Sequence, residues 1–129
     1  MTFHFEHNAL PGSLEMAYLG DALYDLRVRS KLLQAGGRVK TLHRSAIGIV
    51  CAHAQSEALA RIAPELTEAE QDVVRRARNT RQSPPKNADA GEYCHATALE
   101  ALIGYLYITG QTERMEHLLD AALPEALFE

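Results

Sequence analysis

The chain has 129 residues, 47% of them hydrophobic and 23% charged, which suits one folded domain and excludes a disordered segment. Its two cysteines, Cys51 and Cys94, argue against a secreted disulfide scaffold and fit a reducing compartment. The net charge of −4 hides a polarity, because twelve of the thirteen Lys and Arg residues lie between Arg27 and Lys86, a segment of net +7, leaving −11 elsewhere.

The N-terminal MTFHFEHNALPG has neither a basic start nor an apolar run, so it does not read as a signal peptide. Pro11-Gly12 is a turn. Ser13 is placed to cap a helix that runs to about Gln34 and closes at Gly36-Gly37. A second helix is expected from near Thr41, through LHRSAIGIVCAHAQSEALARI, to Pro64. Thr67-Glu68-Ala69-Glu70 reads as a capping box for a third helix ending near Asn79. The Pro-, Asn- and Gly-rich stretch 80–91 is the one substantial loop. A fourth helix is expected over about 92–109, stopped by Gly110, and a fifth from near Thr112 to at least Leu123. No stretch alternates with the period of a strand, so the fold class is all-α and residues 1–129 form a single domain. The longest stretches free of charge, 45–56 and 101–112, fall short of the roughly 20 apolar residues a membrane span needs. A soluble, cytoplasmic protein with no membrane partner is expected.

Two acids stand in the wrong company. On the first helix Met16, Leu19, Leu23, Leu26 and Leu33 fall on one face and Leu14, Ala17, Val28 and Leu32 on the other, the pattern of a helix central to the core. Asp21 lies on that second face. Glu100 sits inside HATALEALIGYLY, which is apolar nearly all round. Neither has a Lys or Arg three or four residues away. A carboxylate taken out of water must be neutralised, paired or metal-bound. A buried ion pair or a hydrated acid is the structural alternative. A cleft in which both acids hold a hard, oxygen-loving cation such as Mg²⁺ is the functional one. The small residues Gly20 and Gly104 suit either, since both allow close backbone approach.

Eleven of the thirteen basic residues fall into two runs without acids: Arg27, Arg29, Lys31, Arg38, Lys40 and Arg44, and Arg75, Arg76, Arg78, Arg81 and Lys86. Such runs are either solvated faces or a surface for a polyanion, whose phosphates release counterions on binding. Cys51-Ala52-His53 and Cys94-His95 lack zinc-site spacing, and Tyr18, Tyr24, Tyr105 and Tyr107 read as core aromatics with polar tips. No phosphate-cradling Gly-rich loop or nucleophile elbow is present, so nucleotide-dependent and serine-hydrolase chemistry find no support.

The pieces YLGDALYDLRVR and LEALIGYLY resemble the signature helix and the second acidic motif of the ribonuclease III family. LHRSA, VCAHAQ, RRARN and PKNAD, in order between them, resemble its compact bacterial branch, Mini-III. The resemblance implies a helical endonuclease domain without the double-stranded-RNA-binding domain of the longer enzymes. It implies a homodimer cleaving double-stranded RNA with Mg²⁺, with Asp21 and Glu100 as catalytic and metal-holding acids. Two further family acids would fall at Ala17 and Thr97, a pared-down site that the Mini-III branch shares; Asp25 is a candidate substitute. With no separate binding domain, Arg75, Arg76, Arg78, Arg81 and Lys86 become the expected RNA grip. The substrate implied is the paired stem of precursor 23S ribosomal RNA, with the need for ribosomal proteins as partners left open. The alternative is a non-catalytic module binding double-stranded RNA or the ribosome on the same helices.

Overall fold

The computed structural model describes residues 2–129. Helix α1 spans Ser13–Ala35, α2 Val39–Val50, α3 Ala52–Ile62, α4 Glu68–Asn79, α5 Ala90–Ile108 and α6 Thr112–Ala122, with short 3-10 turns before α1, between α3 and α4, and after α6. No strand occurs among the described residues. The all-α expectation holds, and most boundaries fall within a turn of those read from sequence.

The helix ends follow local chemistry. α1 is capped by Gly12 rather than Ser13, which is its first helical residue. Its C-terminus closes at Gly36, whose φ of 89° is open to glycine, and whose N–H reaches back to the carbonyls of Leu32 and Leu33. The capping box of α4 is complete: the Glu70 N–H donates to Thr67 Oγ1 at 3.2 Å and the Thr67 N–H to Glu70 Oε1 at 2.9 Å. Asp89 caps α5 by accepting from the Glu92 N–H at 2.9 Å, so that helix begins a little earlier than expected.

The expected single helix from Thr41 to Pro64 is two helices. The backbone turns extended at Cys51, with φ −65° and ψ 159°. Ile47, Gly48, Ile49 and Val50 are weak helix formers, so little local free energy opposes the break. Packing then favours it, because α2 lies on α1 while α3 lies on α5, and one straight helix cannot do both.

α5 is the central element, packed against α1, α3, α4 and α6. Its Ala98, Leu99, Ala101, Leu102, Ile103 and Leu106 are wholly inaccessible. α1 is not buried on both sides, contrary to the sequence reading. It buries Met16, Ala17, Gly20, Tyr24, Val28 and Leu32, whereas Leu14, Leu26 and Leu33 are exposed and Tyr18 is 85% exposed. Tyr18 is therefore not a core aromatic. Of the apolar residues that the core leaves uncovered on α1, Leu14 and Tyr18 stand beside Asp21.

One strong tie was not foreseen. Glu70, only 2% exposed, accepts from Arg114 of α6 through both oxygens at 2.9 Å, and Arg114 also donates to the Glu65 carbonyl. Arg114 holds the Glu70 carboxyl below its ordinary value, against the opposing effect of burial. The pair fastens α4 to the C-terminal helix.

Candidate active site

The site begins where two helices touch without side chains. A Cβ built on Gly20 would overlap the Glu100 carbonyl oxygen and stand 2.5 Å from its carbon. A Cβ on Gly104 would likewise overlap the Met16 carbonyl oxygen. Only hydrogen fits at either position, so α1 and α5 cross in backbone contact. Asp21 follows Gly20, and Glu100 is one turn before Gly104. The crossing thus brings together two carboxylates that lie 79 positions apart in the chain.

Both acids line one cleft of about 360 Å³, together with Leu14, Ala17, Tyr18, Gln82, Ser83, Tyr93 and Thr97. Asp21 is exposed and Glu100 is half-buried. Burial, and then the hydrogen bond and charge of Asp21, push the Glu100 carboxyl up to about 9. Two carboxyls this close cannot both ionise cheaply, and either a shared proton or a cation relieves them. The donor set is all oxygen, open to water on the Asp21 side, and suits a hard divalent ion that keeps several waters. Among the described residues no third His, Cys, Asp or Glu joins the pair. The positions of the two further family acids hold Ala17, whose methyl offers no ligand, and Thr97, whose hydroxyl is engaged with Gln82 at 2.7 Å. Asp25 does not line the cleft; its carboxylate pairs with Arg29 at 3.0 Å.

Behind Glu100 stand Gln55, which the sequence reading passed over, and Tyr24, which it placed in the core. Gln55 of α3 is 3% exposed, and its side chain counters part of the upward push on the Glu100 carboxyl. It had left a signal: Gln55, Ala58, Leu59 and Ile62 form one helical stripe, with an amide in an apolar row. Tyr24, read as a core aromatic with a polar tip, is 1% exposed and its hydroxyl finds no partner among the described residues. Burial above all pushes that phenol up to about 12.

The structure divides the basic residues. Arg75 and Arg76 both pair with Asp72 on the outer face of α4. Arg75 and Arg78 border a second cleft with Leu59, Leu66 and Val74. Arg81 and Lys86 flank Gln82 and Ser83 on the loop that walls the acidic cleft. In the earlier run Arg27 pairs with Glu116 and Asp120, Arg29 with Asp25 and Lys31 with Asp120, while Arg38, Lys40 and Arg44 make no ion pair among the described residues. His53 is bound by Glu57 and Glu92, and His95 meets Ser56 at 3.3 Å.

The Ribonuclease III domain family matches residues 14–111. Mini-ribonuclease 3 of Symbiobacterium thermophilum is 53% identical over 84% of this chain and 85% of its own length. Mini-ribonuclease 3 of Brevibacillus brevis is 47% identical over 88% of this chain and 86% of its own. A crystal structure of a Fusobacterium nucleatum protein superposes with a TM-score of 0.80 at 33% identity, covering 87% of this chain and 93% of that one. The chain belongs to the Mini-III branch of the ribonuclease III family, and it is an endoribonuclease.

Proposed function

We propose that the protein cleaves double-stranded RNA with Mg²⁺ held between Asp21 and Glu100, and that it does so as a homodimer. The observation that carries this reading is the single cleft in which the two acids meet across the Gly20–Gly104 crossing, Glu100 half-buried and Asp21 facing solvent. Mg²⁺ bound there supplies positive charge to the scissile phosphate and acidity to its bound water. The chain's own residues do the rest. Asp21 and Glu100 fix the ion's place, and the half-open cleft leaves Asp21 facing solvent, where a phosphodiester arrives.

Arg75, Arg76, Arg78, Arg81 and Lys86 are the proposed grip on the RNA backbone. Duplex RNA is recognised by shape, phosphate and 2′-hydroxyl contacts, which cations on a helix end and loop can make without reading sequence. Of the five, Arg78, Arg81 and Lys86 carry charge that no acid among the described residues offsets. The homodimer draws support from α1, where the exposed Leu14 and Tyr18 stand at the acidic cleft. Apolar side chains of that size seek cover, and a twofold partner on them would set two cleavage centres against the two strands. The paired ends of precursor 23S ribosomal RNA, in the cytoplasm, are the proposed natural substrate, following the branch to which the chain belongs.

The test is cleavage of long double-stranded RNA by the purified protein, with Mg²⁺ and then with EDTA. Mg²⁺-dependent cutting by wild type and none by Asp21→Asn is expected. Binding without cutting under either condition would leave only an RNA-binding role. Sedimentation at micromolar concentration tests the dimer, which Tyr18→Glu should disperse.

A further inference from the structure

Thr97 is a threonine in the middle of a core helix, and its hydroxyl would ordinarily fold back on the carbonyl four residues earlier. It does lie 3.1 Å from the Tyr93 carbonyl, but the shorter contact, 2.7 Å, is to Gln82 Oε1 on the loop between α4 and α5. Thr97 is 8% exposed, so this hydrogen bond is largely withdrawn from water. The other end of the same amide, Nε2, donates to the Ala77 carbonyl at the C-terminus of α4 at 3.3 Å. That second bond orients the amide: with nitrogen towards Ala77, oxygen faces Thr97 and needs a donor, which a hydroxyl supplies. Gln82 thereby joins the end of α4 to the middle of α5. Gln82, Ser83 and Thr97 all line the cleft that holds Asp21 and Glu100.

We propose that Thr97 and Gln82 are positioning residues, a latch that holds the loop carrying Arg81 and Lys86 against the wall of the acidic cleft and so sets the RNA grip in register with the cleavage centre. The inference rests on the reading of the cleft as a double-stranded-RNA cleavage site. The remainder of the loop, residues 80–89, has no regular secondary structure and no other side-chain hydrogen bond from residues 81–88 to the helices among the described residues. Without the latch the two cations sample many positions, and the duplex must order them at its own expense on binding. The chemical step, once RNA is seated, is unaffected by that cost. The predicted signature is a change in KM rather than in kcat.

Thr97→Val keeps the shape and removes the donor, Gln82→Leu removes the acceptor, and Thr97→Ser keeps the hydroxyl. Limited trypsin digestion of the folded proteins reads the loop directly, through nicking after Arg81 and Lys86. Both disabling variants should be nicked several-fold faster than wild type, the double variant no faster than either, and Thr97→Ser like wild type. With duplex RNA and Mg²⁺, KM should rise about 3–10-fold, the scale of one neutral hydrogen bond, while kcat falls less. Unchanged nicking overturns the latch. Faster nicking with unchanged KM, or a fall confined to kcat, overturns its coupling to RNA. If wild type cleaves no RNA, the functional reading itself fails, and nicking together with duplex affinity in EDTA still judges the latch.

Discussion

Replacing Gly20 by alanine sets two well-known effects against each other. Helix propensity favours the change by about 1 kcal/mol, since Gly20 lies in the interior of α1. Packing opposes it. The new methyl overlaps the backbone carbonyl of Glu100 and comes within 3.0 Å of the Gly104 nitrogen, and neither is a side chain that can swing aside. Ordinary van der Waals distance from the carbonyl carbon, now at 2.5 Å, asks α1 and α5 to part by about 1 Å. A gap of that size forfeits a quarter to a half of the dispersion energy between facing atoms. It does so along the most extensive helix pair among the described residues. With overpacking costs of about 1–3 kcal/mol before that penalty, the net is a destabilisation of about 2 kcal/mol or more. For a chain of this length the melting temperature should fall by about 6 °C or more. Gly48→Ala is the matched control: an exposed position in α2 with nothing within 4 Å of the added carbon, where propensity acts alone and about 0.5–1 kcal/mol of stabilisation is expected. Thermal and urea unfolding of the three proteins decide the matter. If Gly20→Ala melts at or above wild type, the backbone crossing is not tight, and the account of how Asp21 meets Glu100 fails with it.

Other expectations follow from the same structure. Asp21→Asn and Glu100→Gln should each abolish cleavage while leaving RNA affinity in EDTA largely intact. Because the folded state raises Glu100 from 4.5 to about 9, its contribution is fully present below pH 4.5 and is lost as pH climbs towards 9. Metal-free Glu100→Gln should therefore melt above wild type at pH 7–8, by about 1–3 kcal/mol, and a lower melting point there would contradict the crowded pair. Arg114→Ala strands the buried Glu70 and should cost about 2–4 kcal/mol by urea unfolding. The Glu70 pair stabilises above the carboxyl's ordinary 4.5 and its share is lost as pH falls through the lower folded value, so the wild-type advantage over Arg114→Ala should shrink in acid. Changing Arg75, Arg76, Arg78, Arg81 and Lys86 together to Gln should weaken binding to duplexes of any sequence, and the salt dependence should shallow by somewhat under one unit for each phosphate left without its cation. Arg78→Gln, Arg81→Gln and Lys86→Gln alone should account for most of that change, since Asp72 already offsets Arg75 and Arg76.

Much of this molecule is legible along the chain, because helices are local. The capping box at Thr67, the glycine stop at Gly36 and the periodic apolar positions each depend on neighbours within a few residues, and the elements formed where those signals lay. Asp21 and Glu100 stood out for the same reason: charge without a partner at helical spacing, among apolar residues. Quantities that belong to pairs of distant segments were decided by packing alone. The break at Cys51 arises because α2 and α3 have different helices to cover, and nothing between Ala46 and Gln55 announces it. The exposure of Tyr18 reflects which side of α1 faced α5, a choice that a helix apolar on two sides leaves open. Gln55 beneath Glu100 and Gln82 against Thr97 meet across 45 and 15 positions, and contacts at such range leave no periodic trace in sequence. The meeting of the two acids is the clearest case. The sequence supplied each carboxylate and two glycines small enough to permit a crossing; only the folded chain, by laying Gly20 against the backbone of α5, set Asp21 beside Glu100, where it adds to the upward push of burial on the Glu100 carboxyl.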